Sequence, residues 1–206
     1  MKVLMLNGSS RAEGNTYTAL AEIGRQLEKE GIDYEIVQIG SGPVRDCTAC
    51  QGCNDEGCVF TDDGVNEFIK KAGEADGFIF GTPVYYAHSS GRILSFLDRV
   101  FYSSSDAFAY KPGAAVAVAR RAGTTSAFDE LNKYFTISNM PVVSSSYWNV
   151  TFGRVAGETL LDTEGLRTMR NLARNMAWLL KCIESGKKSG VAHPAAERGE
   201  MTNFIR

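Results

Sequence analysis

Short apolar or alternating runs along the chain take turns with longer runs in which apolar residues recur every three or four positions. The first kind comprises Lys2–Asn7 (KVLMLN), 33–39 (DYEIVQI), 77–81 (GFIFG), 114–119 and 141–144. The second covers 15–30, where Leu20, Ile23 and Leu27 share a face before Gly31, then 63–71, a segment with Ile93, Leu94, Leu97 and Val100, then 125–135 and 163–184. These are the patterns of buried strands and of amphipathic helices. Strands separated by helical crossovers pair in parallel and are covered on both faces. Five of them in this rhythm predict an α/β, doubly wound, five-stranded parallel sheet of order 2-1-3-4-5 with helices on both faces. Residues 1–184 are expected to form one domain, and 185–206, with Phe204 and Ile205, a tail that is loose or docked on a neighbouring subunit.

In such a sheet the ligand lies outside the carboxyl ends of the strands, which directs attention to the loops there. The first, residues 8–16 (GSSRAEGNT), is rich in small and hydroxyl residues and runs into a helix amino terminus. Free backbone N–H groups and the positive end of the helix dipole make an anion site, to which Ser9, Asn15 and Thr16 add donors and Arg11 adds charge. Capping the helix needs one such residue, whereas this loop, which also contains Gly14, has several and an arginine.

After the third strand, Pro83 stiffens the backbone, and Tyr85 and Tyr86 follow, which suits the edge and face of a flat ring. The turn after the fourth strand, Arg120, Arg121, Ala122, Gly123, Thr124, Thr125, supplies more backbone donors and charge. Neither Gly-x-x-x-x-Gly-Lys-Ser/Thr nor a Gly-x-Gly-x-x-Gly fingerprint with its downstream acid occurs, so a single monophosphate fits better than a triphosphate or a dinucleotide. A lone loop histidine such as His88 is more often a surface or capping residue than a proton donor.

Charge narrows the function further. With 22 Lys and Arg against 24 Asp and Glu, the formal charge is −2, so nucleic acid and anionic membrane are not expected partners. No apolar run reaches the length of a secretory core or a bilayer span, and a cytoplasmic location is the expectation. Tyr102, Phe108 and Tyr110 cluster after the third helix; read as an exposed apolar patch, they predict a homodimer or homotetramer.

Four of the five cysteines, Cys47, Cys50, Cys53 and Cys58, form a C-x2-C-x2-C-x4-C run in the loop after the second strand. Cys182 stands apart in a helical pattern, where a cysteine usually acts as a small buried hydrophobe. In a reducing compartment such crowding indicates metal, cluster or redox chemistry. The first three spacings repeat the bacterial ferredoxin run, which favours a [4Fe-4S] cluster, while the final Cys-Pro of that run is missing. Structural zinc sites usually join two separated C-x2-C knuckles, and the middle cysteine here is shared. Free thiols or an oxidised pair is the third outcome.

The segments GSSRAEGNT (8–16), ADGFIFGTPVYY (75–86), SGRILSFLDR (90–99) and ARRAGTT (119–125) together resemble the NADPH-dependent FMN reductase-like branch of the flavodoxin superfamily. The resemblance spans nearly the whole chain, with Ser10 where the family usually has proline. It implies that Ser9, Arg11, Asn15 and Thr16 bind the FMN phosphate, that Pro83, Val84, Tyr85 and Tyr86 contact the ring, and that the turn from Arg121 through Gly123 to Thr124 approaches its pyrimidine end. The cysteine run, followed by Asp62 and Asp63, is most similar to that of the iron–sulfur flavoproteins. The activity implied is an NAD(P)H-dependent FMN oxidoreductase that passes electrons to a quinone, a nitro or azo compound, a flavin or a protein acceptor. The alternative is a non-catalytic flavodoxin-like carrier between proteins. Such carriers tend to be strongly acidic, and this chain is close to neutral.

Overall fold

The computed structural model describes residues 1–195 together with 197, 199, 200, 202 and 204. Ile205, named above in the tail, lies outside the described residues. The elements are β1 (Lys2–Asn7), α1 (Asn15–Lys29), β2 (Asp33–Gln38), α2 (Val65–Gly73), β3 (Gly77–Tyr85), β4 (His88–Ser89), α3 (Gly91–Ser104), β5 (Gly113–Ala119), α4 (Thr124–Ile137), β6 (Val150–Phe152) and α5 (Thr163–Lys188). The sheet runs β2-β1-β3-β5-β6, all parallel, with β4 antiparallel to the end of β3. Leaving out that hairpin strand, this is the expected doubly wound order.

Successive side chains on a strand face opposite sides, and the two cores divide accordingly. Leu4, Leu6, Phe78, Phe80 and Ala115 pack under α2 and α3, whereas Val3, Met5, Ile79, Ala114 and Val116 pack against α1 and α5. The first core is aromatic. Phe80 stacks on Phe135 at 5.1 Å and meets Phe101 edge-on at 6.0 Å, and Phe101 stacks on Phe108 at 4.5 Å. Among the described residues no helix is long and apolar enough to cross a membrane.

Four details differ from the sequence reading. The edge strand expected at 141–144 makes only a bridge from Val142 to Gly113, and the paired strand is β6, which aligns with Ala117, Val118 and Ala119 at the far end of β5. Between them the chain leaves the sheet, and Asn149 serves the exposed ladder: its Nδ2 donates to the Ala115 carbonyl at 3.0 Å and its own carbonyl accepts from the Ala117 N–H at 3.0 Å. β3 runs four residues past Gly81 because β4 pairs with its end, with Val84 opposite Ser89 and Tyr85 opposite His88.

The aromatic patch after α3 is also different. Phe108 is fully buried, and Tyr110 stacks on His193 at 4.3 Å while its hydroxyl donates to the Pro194 carbonyl, leaving Tyr102 as the exposed member. Finally, Cys182 is exposed, because the buried stripe of α5 passes through Met176, Ala177 and Leu180 and turns it outward. That helix runs to Lys188.

The aromatic core should carry much of the stability. Phe80→Ala, at the centre of the ring cluster, should cost about 3–5 kcal/mol, read from denaturant unfolding; a loss below about 1 kcal/mol would show that the cluster collapses into the gap.

Candidate functional site

The loop after β1 is held from below by two polar side chains at the ends of neighbouring strands, the buried β1 and the edge strand β2. Asn7, fully buried, donates through Nδ2 to Gln38 Oε1 and accepts at Oδ1 from the Ser9 N–H at 3.2 Å. Gln38 Nε2 donates to the Ser9 carbonyl at 2.6 Å, and Ser9 Oγ accepts from the Arg11 N–H at 3.1 Å. The loop then enters α1 at Gly14, and no side chain caps that helix. Its first N–H groups therefore open onto the space above the loop, with the positive end of the helix dipole behind them.

That space is a cleft of about 230 Å³. Ser9, Arg11, Gly14, Asn15 and Thr16 line it from the first loop, and Pro83, Val84 and Tyr85 from the end of β3. Tyr86, Arg121, Gly123 and Thr124 do not line it. Tyr86 stands at the hairpin tip, 98% exposed. Gly123 has φ of +86° and lies so close to the hairpin that a Cβ would come within 2.5 Å of Ala87 Cα. It is thus the residue that lets the start of α4 seat the hairpin. Thr124, buried, begins α4 and faces a separate groove beside Trp148.

Residues not expected from the sequence complete the cleft: Val118, Ala119 and Arg120 at the end of β5, and Gly153 and Arg154 after β6. Asn15 Nδ2 donates to the Val155 carbonyl at 2.9 Å, and its Oδ1 accepts from the Thr159 N–H at 3.3 Å. Gly153 permits this approach, since a Cβ there would lie 2.6 Å from Asn15 Nδ2. The backbone N–H groups of Arg154 and Val155 also donate to Glu158, and these bonds hold its carboxyl below its ordinary value. Asn15 thus secures the loop that brings Arg154 to the cleft. Three arginines, Arg11, Arg120 and Arg154, line one space, and none forms a salt bridge among the described residues. The sequence signal for Arg154 was weak because its strand was misplaced.

The hairpin over the cleft is tied down from both sides. Ser90 caps α3 and donates to the Gly8 carbonyl at 3.0 Å, while the Ser89 N–H donates to Glu130 of α4 at 2.7 Å. The ring of His88 bonds its neighbour's carbonyl, Nδ1 to Ser89 O at 2.6 Å.

The four clustered cysteines form a second site. Cys47, Cys50, Cys53 and Cys58 line one small cavity together with Phe60, Arg99 and Tyr102. Ala49 and Gln51 have positive φ (51° and 57°), which bends the run; Cys58 is buried, Cys47 and Cys53 are half-buried and Cys50 is exposed. Burial, followed by the facing thiols of Cys58, Cys50 and Cys47, pushes the Cys53 thiol above its ordinary value. Among the described residues no three His, Cys, Asp or Glu side chains stand in a metal-ligating arrangement. A larger hollow of about 420 Å³ between β2 and α2 offers no free charge: Asp62 pairs with Arg45, and Lys71 with Glu35 and Glu67.

With this geometry, the sequence profile of the NADPH-dependent FMN reductase family matches residues 1–154. The chain belongs to that family. It is similar to an iron–sulfur flavoprotein of Methanocaldococcus jannaschii, 34% identical over 197 residues that cover 89% of this chain and 100% of the relative, which places it on the iron–sulfur flavoprotein branch. Among solved structures it resembles RosB with bound 8-demethyl-8-formylriboflavin-5'-phosphate (TM-score 0.70, 15% identity, 100% of this chain and 94% of the other). It also resembles a flavodoxin from the domain Archaea (TM-score 0.60, 16% identity, 88% and 99%). These two likenesses carry the fold alone. Family and relatives together make this FMN reductase homologue an FMN-dependent oxidoreductase with a flavodoxin-like fold.

Asn15→Ala should free the loop 153–159 and draw Arg154 from the cleft, weakening FMN binding by about 1–3 kcal/mol. Fluorescence titration measures the loss, and faster hydrogen exchange in that loop should accompany it. Unchanged affinity with a loosened loop would remove Arg154 from the binding site.

Proposed function

We propose that this protein takes electrons from NADH or NADPH through FMN and delivers them to a small-molecule or protein acceptor. The observation that carries this reading is the uncapped amino terminus of α1, opening into a cleft lined by Arg11, Arg120 and Arg154. A phosphate dianion there is met by backbone donors, a helix dipole and fixed positive charge. Thr16 and Ser9, both almost fully buried, bound the phosphate end, while Pro83, Val84 and Tyr85 form the wall for the ring. When bound, FMN supplies hydride and single-electron chemistry at its ring, and an iron–sulfur cluster supplies single-electron steps. The chain's residues orient the ring, neutralise the phosphate and leave one side open through the half-exposed Tyr85 for donor and acceptor.

The cysteine loop fits a [4Fe-4S] cluster in donor chemistry. Four cysteines line one cavity; burial first, and then each of the other three thiols, disfavours ionisation of Cys53, and a cationic iron core would relieve that repulsion. Cys47, Cys50, Cys53 and Cys58 would hold it. The exposed aromatics, Tyr86 at the hairpin tip and Tyr147 and Trp148 in the groove beside Thr124, support a homodimer or homotetramer that covers them.

Protein purified without oxygen should release FMN on heating, identified by mass, and its flavin bands should bleach within seconds of adding NADPH or NADH. Bleaching only by a reduced protein partner would favour the non-catalytic carrier. The same sample should hold iron and acid-labile sulfide at about four each per chain; full FMN without iron would leave a flavin-only reductase. In sedimentation at micromolar concentration the protein should run as an oligomer, and a monomer would reject that assembly.

A further inference from the structure

Arg99, in the third turn of α3, is 1% exposed and is the largest of the fully buried side chains. The flavin cleft makes no use of it. Its Nη2 donates to the Phe60 carbonyl at 2.9 Å, and its Nη1 donates to the Arg45 carbonyl at 3.4 Å and to the Asp63 carboxylate. Its Nε donates to Cys58 Sγ at 3.3 Å. The guanidinium carbon also lies 5.6 Å from the centre of the Phe60 ring. All these partners belong to the segment that carries the four cysteines: Arg45 just before Cys47, Phe60 and Asp63 just after Cys58, and one of the sulfurs itself.

A staple for the loop would need only the carbonyl and carboxylate bonds. The bond to sulfur is different in kind, because a neutral thiol is a weak acceptor and a buried guanidinium is a strong, charged donor. The pairing becomes well matched when the sulfur is a thiolate carrying the charge of an iron centre. Hydrogen bonds to cluster sulfurs, local net charge and solvent exposure are the levers by which a protein sets a cluster's reduction potential.

We propose that Arg99 is a positioning and tuning residue for the cysteine site: it closes the loop, and through the N–H···S bond to Cys58 it raises the reduction potential of a cluster held there. This rests on the cluster reading given above. Reduction adds one electron to a centre that is already anionic with its four thiolates, and a buried positive group donating to one of those sulfurs stabilises the added charge. Asp63 balances the guanidinium on its far side, so the sulfur bond can be separated from the net charge of the pair.

The test uses the full chain, purified anaerobically, as wild type, Arg99→Met, Arg99→Lys and the double variant Arg99→Met/Asp63→Asn. The double variant leaves no unpaired carboxylate. Iron and sulfide are assayed first, and the cluster and FMN midpoint potentials are then measured by a redox titration followed by electron paramagnetic resonance and visible absorbance. The expected result is a lower cluster potential in Arg99→Met and in the charge-balanced double variant, a smaller drop in Arg99→Lys, and an unchanged FMN potential throughout. Equal cluster potentials at full iron content would overturn the proposal and leave the cluster reading intact. Should both neutral variants lose their iron, Arg99→Lys decides: a lowered potential at full iron supports the proposal, and an unchanged one reduces Arg99 to a staple and overturns it. A wild type without iron would defeat the cluster reading and the proposal with it, and the iron assay alone identifies that outcome.

Discussion

The parallel pairing of β1 with β3 is the constraint on which the rest of the molecule depends. β2 joins β1 on one side and β3 on the other, so the chain leaves β1 at the point where the strand order reverses, and a crevice opens above it. The ladder continues one residue past the strand, where the Gly8 N–H donates to the Gly81 carbonyl at 2.8 Å. Ser90 then bonds the Gly8 carbonyl from the cap of α3. The loop after β1 is thereby fixed to two strands and a helix before any ligand arrives, which lowers the ordering cost of binding in the cleft it lines.

The same buried sheet explains the economy of the polar residues. Asn7 and Thr82 are fully buried, yet each lies at or near the carboxyl end of its strand and hands its hydrogen bonds to the loops. A polar side chain buried in mid-sheet would cost more than it could recover, whereas at the strand end it organises loop backbone that would otherwise be unpaired. Part of the backbone strain lies nearby. The hairpin tip holds Tyr86 and Ala87 in consecutive left-handed conformations, with φ of 50° and 64°, a turn that normally selects asparagine and glycine. Its cost is carried by the bonds from the flanking residues to α3, α4 and the first loop.

Period and composition made most of the fold legible, because strands buried on both faces and amphipathic helices have distinct patterns. The failures have local physical causes. The hairpin of β3 and β4 was invisible because its turn lacks the residues that announce one. The edge strand was misplaced because the apolar run Val142–Val143 mimics a strand, while β6 is only three residues long and begins after an aromatic loop. Arg154 was lost with it. Asn15 was legible as a polar residue at a helix start, but its service to the loop 153–159 depends on contacts 140 and more residues away. Arg99 was hidden in the other direction, since a single arginine on a helix reads as a solvated charge until its burial is known.

The cleft and the cysteine cavity share no lining residue, yet one helix braces both. α3 is bonded at its cap, Ser90, to the loop after β1 that lines the cleft, and at Arg99 to the loop that carries the thiols. Nine residues of helix separate these two attachments, a rise of about 13 Å at roughly 1.5 Å per residue. Between them Ile93, Phe96 and Leu97 are buried in the aromatic core, so the helix cannot slide without disturbing that packing. The spacing of the two sites within a chain is therefore a property of the core, not of either loop. Changes to the exposed loop residues can alter affinity or access while leaving that spacing in place.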